Sequence, residues 1–534
     1  MSVTPISKLW SVLFLLAVLL AGCDSANLEN AADDAADPDD GRRMYRDGLL
    51  PSGEPMTAIV AGDVPVLGTQ FSCESCHGRS GMGAAEGKYI VPPIAGQFLF
   101  APSPQPARAA YTEESLARLL RDGVTPDGRY LGELMPLYRL TDDEVAAMTA
   151  YLARLSFGNS PGVDDKVIRF ATVMTEDVDA RERAAVLDVL NTFVAEKNSN
   201  TRLESERWDR GYTPSSRLAT VHRDWVLEEW TLTGPPESWD KQLEQRYRDA
   251  PVFAMLSGLS DDSWGPIGRF CERNEIPCLF PGTRMTDAAE GDFYTLYYSR
   301  GLELEADLIA NHLAAKPVTE VVQVFCGVAP AQAASGLRAS LQEQGLAVND
   351  LAFDCDDALP VSDLIERSES TPDAAIVLWL GQEHLASIEG ELPPGRVYFS
   401  STLLGDEHDS ALLSVTGPAF MAHPFRLPGQ VDPAMARFEA WARSRGIEMT
   451  APRRQSEAFF ACLVLKEATK HIGRFFIRDF ALDTVDHAQS LVVYLPFYPR
   501  PTLGPQQRFM NKGGYVLPIV DGQPVTQDAT WIVP

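Results

Sequence analysis

Cys73-Glu74-Ser75-Cys76-His77 reads C-x-x-C-H, and its chemistry decides the fold of the front of the chain. Two thiols three residues apart, followed directly by an imidazole, serve three chemistries: a disulfide, a zinc site or covalent haem attachment. A zinc site needs further ligands close by, and no other Cys or His lies between residues 24 and 221. A disulfide leaves the histidine without a role. Haem attachment uses all three groups. Cys73 and Cys76 form thioethers to the two vinyl groups on one haem edge, and His77 turns its imidazole to the iron. One such motif implies one covalent haem c.

A sixth iron ligand should follow downstream. Met135 stands 58 residues after His77, in Gly132-Glu133-Leu134-Met135-Pro136. Pro136 keeps this stretch out of a helix, so the thioether can lie across a haem face. Met82 and Met148 are the rivals. Met82 is five residues past His77 on a Gly-rich turn, from which the opposite face is awkward to reach. Met148 falls on an apolar helical stripe with Val145, Leu152 and Leu155, which reads as core. That helix opens with a capping box, Thr141-x-x-Glu144.

These features together resemble a class I cytochrome c domain over residues 41–156. The motif, a helix around Arg43–Gly48, a middle helix after Thr112, Asp122-Gly123-Val124-Thr125-Pro126-Asp127-Gly128 leading to Met135-Pro136, and a last helix ending near Tyr151-Leu152 carry the likeness. The resemblance implies an all-α domain with one low-spin haem whose axial ligands are His77 and Met135. It is nearest to monohaem domains that take electrons from periplasmic dehydrogenases. Two filled axial positions leave none for oxygen or peroxide. The expectation is an electron carrier with no catalytic residue of its own, partnered by a periplasmic redox protein or dehydrogenase.

Upstream, Lys8 precedes an uncharged Leu-rich run from Leu9 to Gly22. The run is shorter than the roughly 20 residues that cross a bilayer, and its layout is that of an export signal over residues 1–22. Leu20-Ala21-Gly22-Cys23 resembles the bacterial lipobox, which implies lipidation of Cys23. Several acyl chains make a stable anchor. Residues 23–40 carry seven acids and no base, and read as an acidic disordered tether. The expected location is the periplasmic side of a bacterial membrane, inner or outer left open.

The whole chain has 534 residues, is 45% hydrophobic and 22% charged, and carries a net charge of −28. These are globular values for several domains. A chain this acidic is repelled by phosphate backbones, so a nucleic-acid partner is excluded. The charge is uneven. Residues 41–160 hold 11 Lys/Arg against 13 Asp/Glu, so the rear carries most of the excess.

Residues 157–165 are rich in turn formers and read as a linker. Over residues 166–534 short apolar runs alternate with helical stretches. Strands are expected at 167–173, 252–256, 277–280, 321–325, 351–353, 375–380 and 396–399, and helices at 180–196, 265–273, 302–314, 331–344, 433–445 and 456–471. Such alternation predicts parallel sheets covered on both faces. Its order, the Ser257-Gly258 turn, the Ile276-Pro277 strand start, Tyr294–Tyr298 and Gly504-x-x-Gln507-Arg508 resemble the type I periplasmic solute-binding proteins of the Leu/Ile/Val-binding class. The resemblance implies two α/β lobes with ligand at strand C-terminal ends. It also implies that Ser257 and Gly258 meet the polar end of a small ligand, an amino acid or small carboxylate or amide. Tyr297, Tyr298 and Trp379 are candidates for lining the cleft.

Five further cysteines leave an odd number. In an oxidising compartment they can pair: Cys271 and Cys278, which flank a helix-to-strand turn, and Cys326 and Cys355, which end two strands separated by one helix, are the disulfide candidates, and Cys462 is the candidate lone thiol. No phosphate loop, dinucleotide fingerprint or nucleophile elbow is present. Three functions remain: a membrane-anchored single-electron carrier with a sensing or docking domain, a transporter's substrate-binding lipoprotein with an accessory haem, or the cytochrome subunit of a periplasmic dehydrogenase.

Overall fold

A computed structural model of the protein describes residues 38–60, 63–86, 89–104, 107–131, 134–209, 223–357, 373–386, 395–405, 417–487 and 494–534. The expected export signal and Cys23 lie outside them. The described residues divide into two compact units: one holds those up to Cys73 with those of Phe100–Arg154, the other those of Glu74–Leu99 with those of Leu155–Pro534.

In the first unit a helix runs over Pro38–Asp47. It begins inside the stretch read as tether, which corrects the boundary at residue 40. Asp39 and Asp40 sit in its first turn, where carboxylates meet the positive end of the helix. They also pair with Arg42 and Arg43 one turn on, at 3.3 and 2.6 Å. This helix crosses Asp142–Arg154 closely: a Cβ on Gly41 would stand 2.3 Å from the Ala147 carbonyl oxygen. Tyr45 and Tyr151 pack with ring centroids 5.4 Å apart. The Thr141 box forms, with Thr141 N donating to Glu144 Oε2 at 2.7 Å and Glu144 N to Thr141 Oγ1 at 3.3 Å. A third helix, Glu113–Asp122, is capped by Thr112 and stopped by Gly123 at φ 71°.

This unit is not all helical. Val64–Leu67, Thr57–Val60 and Leu137–Tyr138 form a three-stranded antiparallel sheet. The two valine- and isoleucine-bearing segments before the haem motif are too short for helices and pair as a hairpin instead.

The second unit contains two seven-stranded sheets. The first is parallel and centres on Val167–Thr175, which pairs along its full length with Asp224–Leu232. Against its other edge lie Ala254–Leu256, at Phe170 and Ala171, and Leu259–Ser263, at Met174. Those two pieces are one strand broken at Ser257-Gly258. The second sheet runs Ala347–Ala352, Glu320–Phe325, Ala374–Trp379, Arg396–Ser400 and Ala419–His423 in parallel, then adds Tyr515–Val520 and Gln523–Pro524 antiparallel.

Each sheet is buried on both faces. Phe170 faces a core shared with Val189, Phe459 and Leu465, while Ala171 and Val173 face Trp239, Ile267 and Phe270. In the second sheet Val321 and Val377 face the Leu302–Ala314 and Val328–Glu343 helices, and Val322 and Leu378 face the opposite way. After building the second sheet to His423, the chain returns to the first core with the helices Pro433–Arg443, Pro452–His471 and Arg478–Asp486. The linker is strapped to this body. Ser160 N donates to the Phe476 carbonyl at 2.8 Å, and Ser160 Oγ accepts from Arg478 N at 3.1 Å. Among the described residues no helix is long and apolar enough to cross a membrane.

Candidate functional site

Cys73–His77 is a single helical turn, so the two thiols at positions three apart share a face. Both are thiols and not halves of a disulfide. His77 is only 8% exposed, and its Nδ1 lies 3.0 Å from the Pro92 carbonyl oxygen. A carbonyl can only accept, so Nδ1 carries the proton and Nε2 keeps its lone pair. Burial pushes the His77 pKa down, which favours the neutral imidazole that a metal requires. This donor set fits a covalent haem: Cys73 and Cys76 would hold the macrocycle and His77 the iron. The group supplies a one-electron Fe(III)/Fe(II) couple when bound. The chain's own part is to fix the imidazole's tautomer through Pro92 and to keep water from the ring by burial.

Met148 is 2% exposed and belongs to the packed interior of its helix. Met135 is half-buried in a bend beside the buried Pro136, and Met82 is half-buried with its N–H donating to Ser80 Oγ at 3.1 Å.

Just after His77 the backbone meets a carboxylate that motif reading missed. Arg79 N and Ser80 N donate to Asp483 Oδ1 and Oδ2, at 3.1 and 3.0 Å. Gly78 at φ 75° leaves room for it, since a Cβ there would stand 2.7 Å from Oδ2. Burial pushes Asp483 up to about 7. Cys76, Glu74, Arg79, Asp483, His471 and His487 border a cavity of about 460 Å³.

A second cavity, about 190 Å³, is charged: Glu182, Asp261, Arg284, Thr402, Arg453 and Arg454 line it. Arg454 pairs with Glu182 at 2.9 Å and Glu457 at 3.2 Å, and Arg284 lies 3.5 Å from Asp261. Behind Thr402, the fully buried Glu305 accepts from Thr402 N and Thr402 Oγ1, both at 2.9 Å, and bonds Ser400 Oγ. Burial pushes Glu305 up to about 7. Guanidinium and carboxyl groups facing one small cavity suit a polar ligand bearing charge of both signs.

The residues singled out for ligand contact lie elsewhere, and each has a packing reason. Ser257 and Gly258, at φ 55° and 109°, are the break in a strand. Ser257 N is spent on the Leu279 carbonyl at 2.8 Å, and the next helix begins only at Gly265. No helix N-terminus is therefore presented at this turn. Tyr297 stacks on Phe509 in one core, with ring centroids 5.4 Å apart. Tyr298 donates to the Glu457 carbonyl at 2.6 Å, and Trp379 Nε1 to Gln323 Oε1 at 2.9 Å. All three aromatics are core residues, which corrects their placement in the cleft.

Cys326 and Cys355 form a disulfide with Cα atoms 5.2 Å apart. Cys271 and Cys278 are buried thiols, a correction to their proposed pairing. Cys271 Sγ packs on Met255 Sδ at 3.5 Å and is also within hydrogen-bond reach of the Cys278 thiol; Met255 is the residue in register with Cys278 on the neighbouring strand. Cys462 is a buried thiol within its helix.

Residues 68–156 match the family model described as Cytochrome c. The chain thus carries a cytochrome c domain, and the match implies electron carrying by a covalently bound haem c with its iron. No curated protein sequence matches the chain. Its solved structural neighbours include binding proteins of the Leu/Ile/Val class. One is a branched chain amino acid ABC transporter from Thermus thermophilus with bound valine, at 11% identity and TM-score 0.49, covering 69% of this chain and 97% of that one. Another is a putative branched-chain amino acid ABC transporter from Rhodospirillum rubrum, at 15% identity and TM-score 0.45, covering 67% and 99%. A third is a branched-chain amino acid transporter substrate binding protein from Streptococcus pneumoniae in complex with isoleucine, at 13% identity and TM-score 0.45, covering 69% and 100%.

Proposed function

We propose that this protein is an exported, lipid-anchored single-electron carrier, in which a monohaem cytochrome c domain is joined to a two-lobed α/β body that binds a small charged solute. The observation that carries the electron-transfer reading is His77, buried, with Nδ1 turned to Pro92 and Nε2 left for iron. Met135 would be the second side chain to hold the iron, through the thioether that the Pro136 bend frees from helical packing. With His77 and Met135 both holding the iron, the haem would pass electrons between partners and leave no position for oxygen. Its electron donor is a periplasmic dehydrogenase or small redox protein.

The solute-binding part rests on the cavity lined by Arg284, Arg453, Arg454, Asp261 and Glu182, where residues from the two sheets' surroundings converge. An amino acid or a small carboxylate or amide matches its mixed charge. Lipidation at Cys23 rests on Leu20-Ala21-Gly22-Cys23, and places the protein on the periplasmic side of a bacterial membrane.

Reduced-minus-oxidised spectra of the full chain mixed with candidate periplasmic dehydrogenases test the carrier reading. Reduction at catalytic amounts of enzyme is expected; a haem that no donor reduces contradicts it. A thermal-shift screen of amino acids and small carboxylates tests the second part, with binding weakened at least tenfold in Arg284→Ala. Feeding cells a clickable fatty acid tests the anchor: label should appear on the wild type and vanish in Cys23→Ser.

A further inference from the structure

Three metal-ligating side chains meet at the C-terminal ends of three adjacent parallel strands of the second sheet. Cys326 directly follows Glu320–Phe325, Cys355 lies just beyond Ala347–Ala352, and His384 sits on the short helix Gln382–Ala386 that follows Ala374–Trp379. The register Phe325↔Ala352 and Phe325↔Trp379 brings the three strand ends level. Their ligand atoms all lie within 4.8 Å of one another. His384 Nε2 is 3.4 Å from Cys326 Sγ. Its Nδ1 lies 3.2 Å from Glu383 Oε1, and Phe353 packs edge-on against the ring. In the disulfide form Nε2 also lies 3.3 Å from the Cys355 carbonyl oxygen, so metal binding requires Nε2 to give up that contact while Nδ1, beside Glu383, takes the proton.

We propose that this cluster is a thiol-gated metal site: closed as the Cys326–Cys355 disulfide, and, once reduced, binding one zinc-like divalent ion through Cys326 Sγ, Cys355 Sγ and His384 Nε2. Cys355 is exposed and Cys326 is buried, so the gate opens from one side. The reductant is a dithiol donor protein. Its thiolate attacks Cys355 Sγ, forming a mixed disulfide and expelling Cys326 as thiolate, which takes up a proton. The donor's second thiol then attacks its own sulfur in the mixed disulfide and releases Cys355. The donor leaves as a disulfide, two electrons poorer, and this chain holds two thiols. Binding of the ion displaces both thiol protons. Two thiolates balance the ion's two charges, so the site is neutral without help from Glu383, which stays on Nδ1. Two sulfurs and one nitrogen make three of the four ligands of tetrahedral zinc, with water in the fourth position.

The test uses the full haem-loaded chain and zinc chloride, with and without a phosphine reductant, read by native mass spectrometry and calorimetry. The oxidised wild type should bind no zinc, and the reduced wild type one ion per chain with proton release. His384→Ala should weaken reduced-state binding at least tenfold, and Cys355→Ser should abolish it. Glu383→Gln, which keeps the fold, should weaken it by a smaller factor. Reduction without zinc uptake overturns the proposal and leaves a simple disulfide. Equal uptake by the oxidised chain, or by His384→Ala, also overturns it, because the ion then sits elsewhere.

Discussion

At the scale of single residues, protein chemistry is set here by what burial does to ionisable groups. Glu305 is the clearest case. Its carboxyl is enclosed, and loss of solvent raises it to about 7 even though Ser400 and Thr402 bond it. The folded protein therefore holds a proton that the unfolded chain, with an ordinary value of 4.5, has released. That contribution is fully present below pH 4.5 and is lost as pH rises through 7. By linkage it amounts to at most about 3 kcal/mol. Glu305→Gln keeps the acceptor for Thr402 and cannot ionise, so the variant should lose this pH dependence. Denaturant melts at pH 5 and pH 8 check it; parallel curves for wild type and variant would show that Glu305 does not titrate in this range. Residues of this kind were illegible in the sequence. The haem ligands Cys73, Cys76 and His77 were legible because their spacing is itself the chemistry. Glu305, Asp483 and the Arg454–Glu182 pair acquire meaning from partners about 100 to 400 residues away, and nothing local marks them.

At the scale of elements, periodicity and caps located most of the helices well. Gly265–Arg273 and Leu302–Ala314 begin and end where their patterns do. The missed elements have reasons. Asp224–Leu232 interleaves Trp and Glu in a way that imitates a solvated segment, yet it pairs along the whole first strand. Thr57–Val60 and Val64–Leu67 are too short to show a period. Two substitutions test the helix contacts of the first unit. Gly41→Ala puts a methyl 2.6 Å from Tyr151 Cβ and against the Ala147 carbonyl, and separating the helices should cost about 1–3 kcal/mol. Thr141→Ala removes half of the capping box and should cost about 1 kcal/mol. Thermal melts followed in the far ultraviolet measure both; a Gly41→Ala protein as stable as wild type would mean the helices can part without loss.

At the scale of the whole molecule, alternation of strands and helices foretold parallel sheets, but not the path of the chain. Residues 425–487 and 494–510 return to the core of the first sheet before Tyr515–Val520 and Gln523–Pro524 complete the second, and hydrophobic patterns do not record which sheet a helix covers. The compact units also cut across the order of the sequence, with residues 74–99 belonging to the larger unit. Asp483 helps tie that segment there through the amides of Arg79 and Ser80, alongside Phe98 packed edge-on against Phe475 and Arg79 over Phe293. Asp483→Ala leaves two enclosed N–H groups unpaired, at about 1–3 kcal/mol each, and should lower the melting temperature of the full chain. Asp483→Asn, with one acceptor restored, should recover part of the loss. The central claim is that this chain carries one electron on a haem held between His77 and Met135, and spectroelectrochemical titration of wild type and Met135→Ala addresses it most directly. The account predicts one haem per chain, a single one-electron wave, and, in Met135→Ala, a lowered potential with loss of the sulfur-to-iron charge-transfer band. A variant with the wild-type spectrum and potential would contradict it.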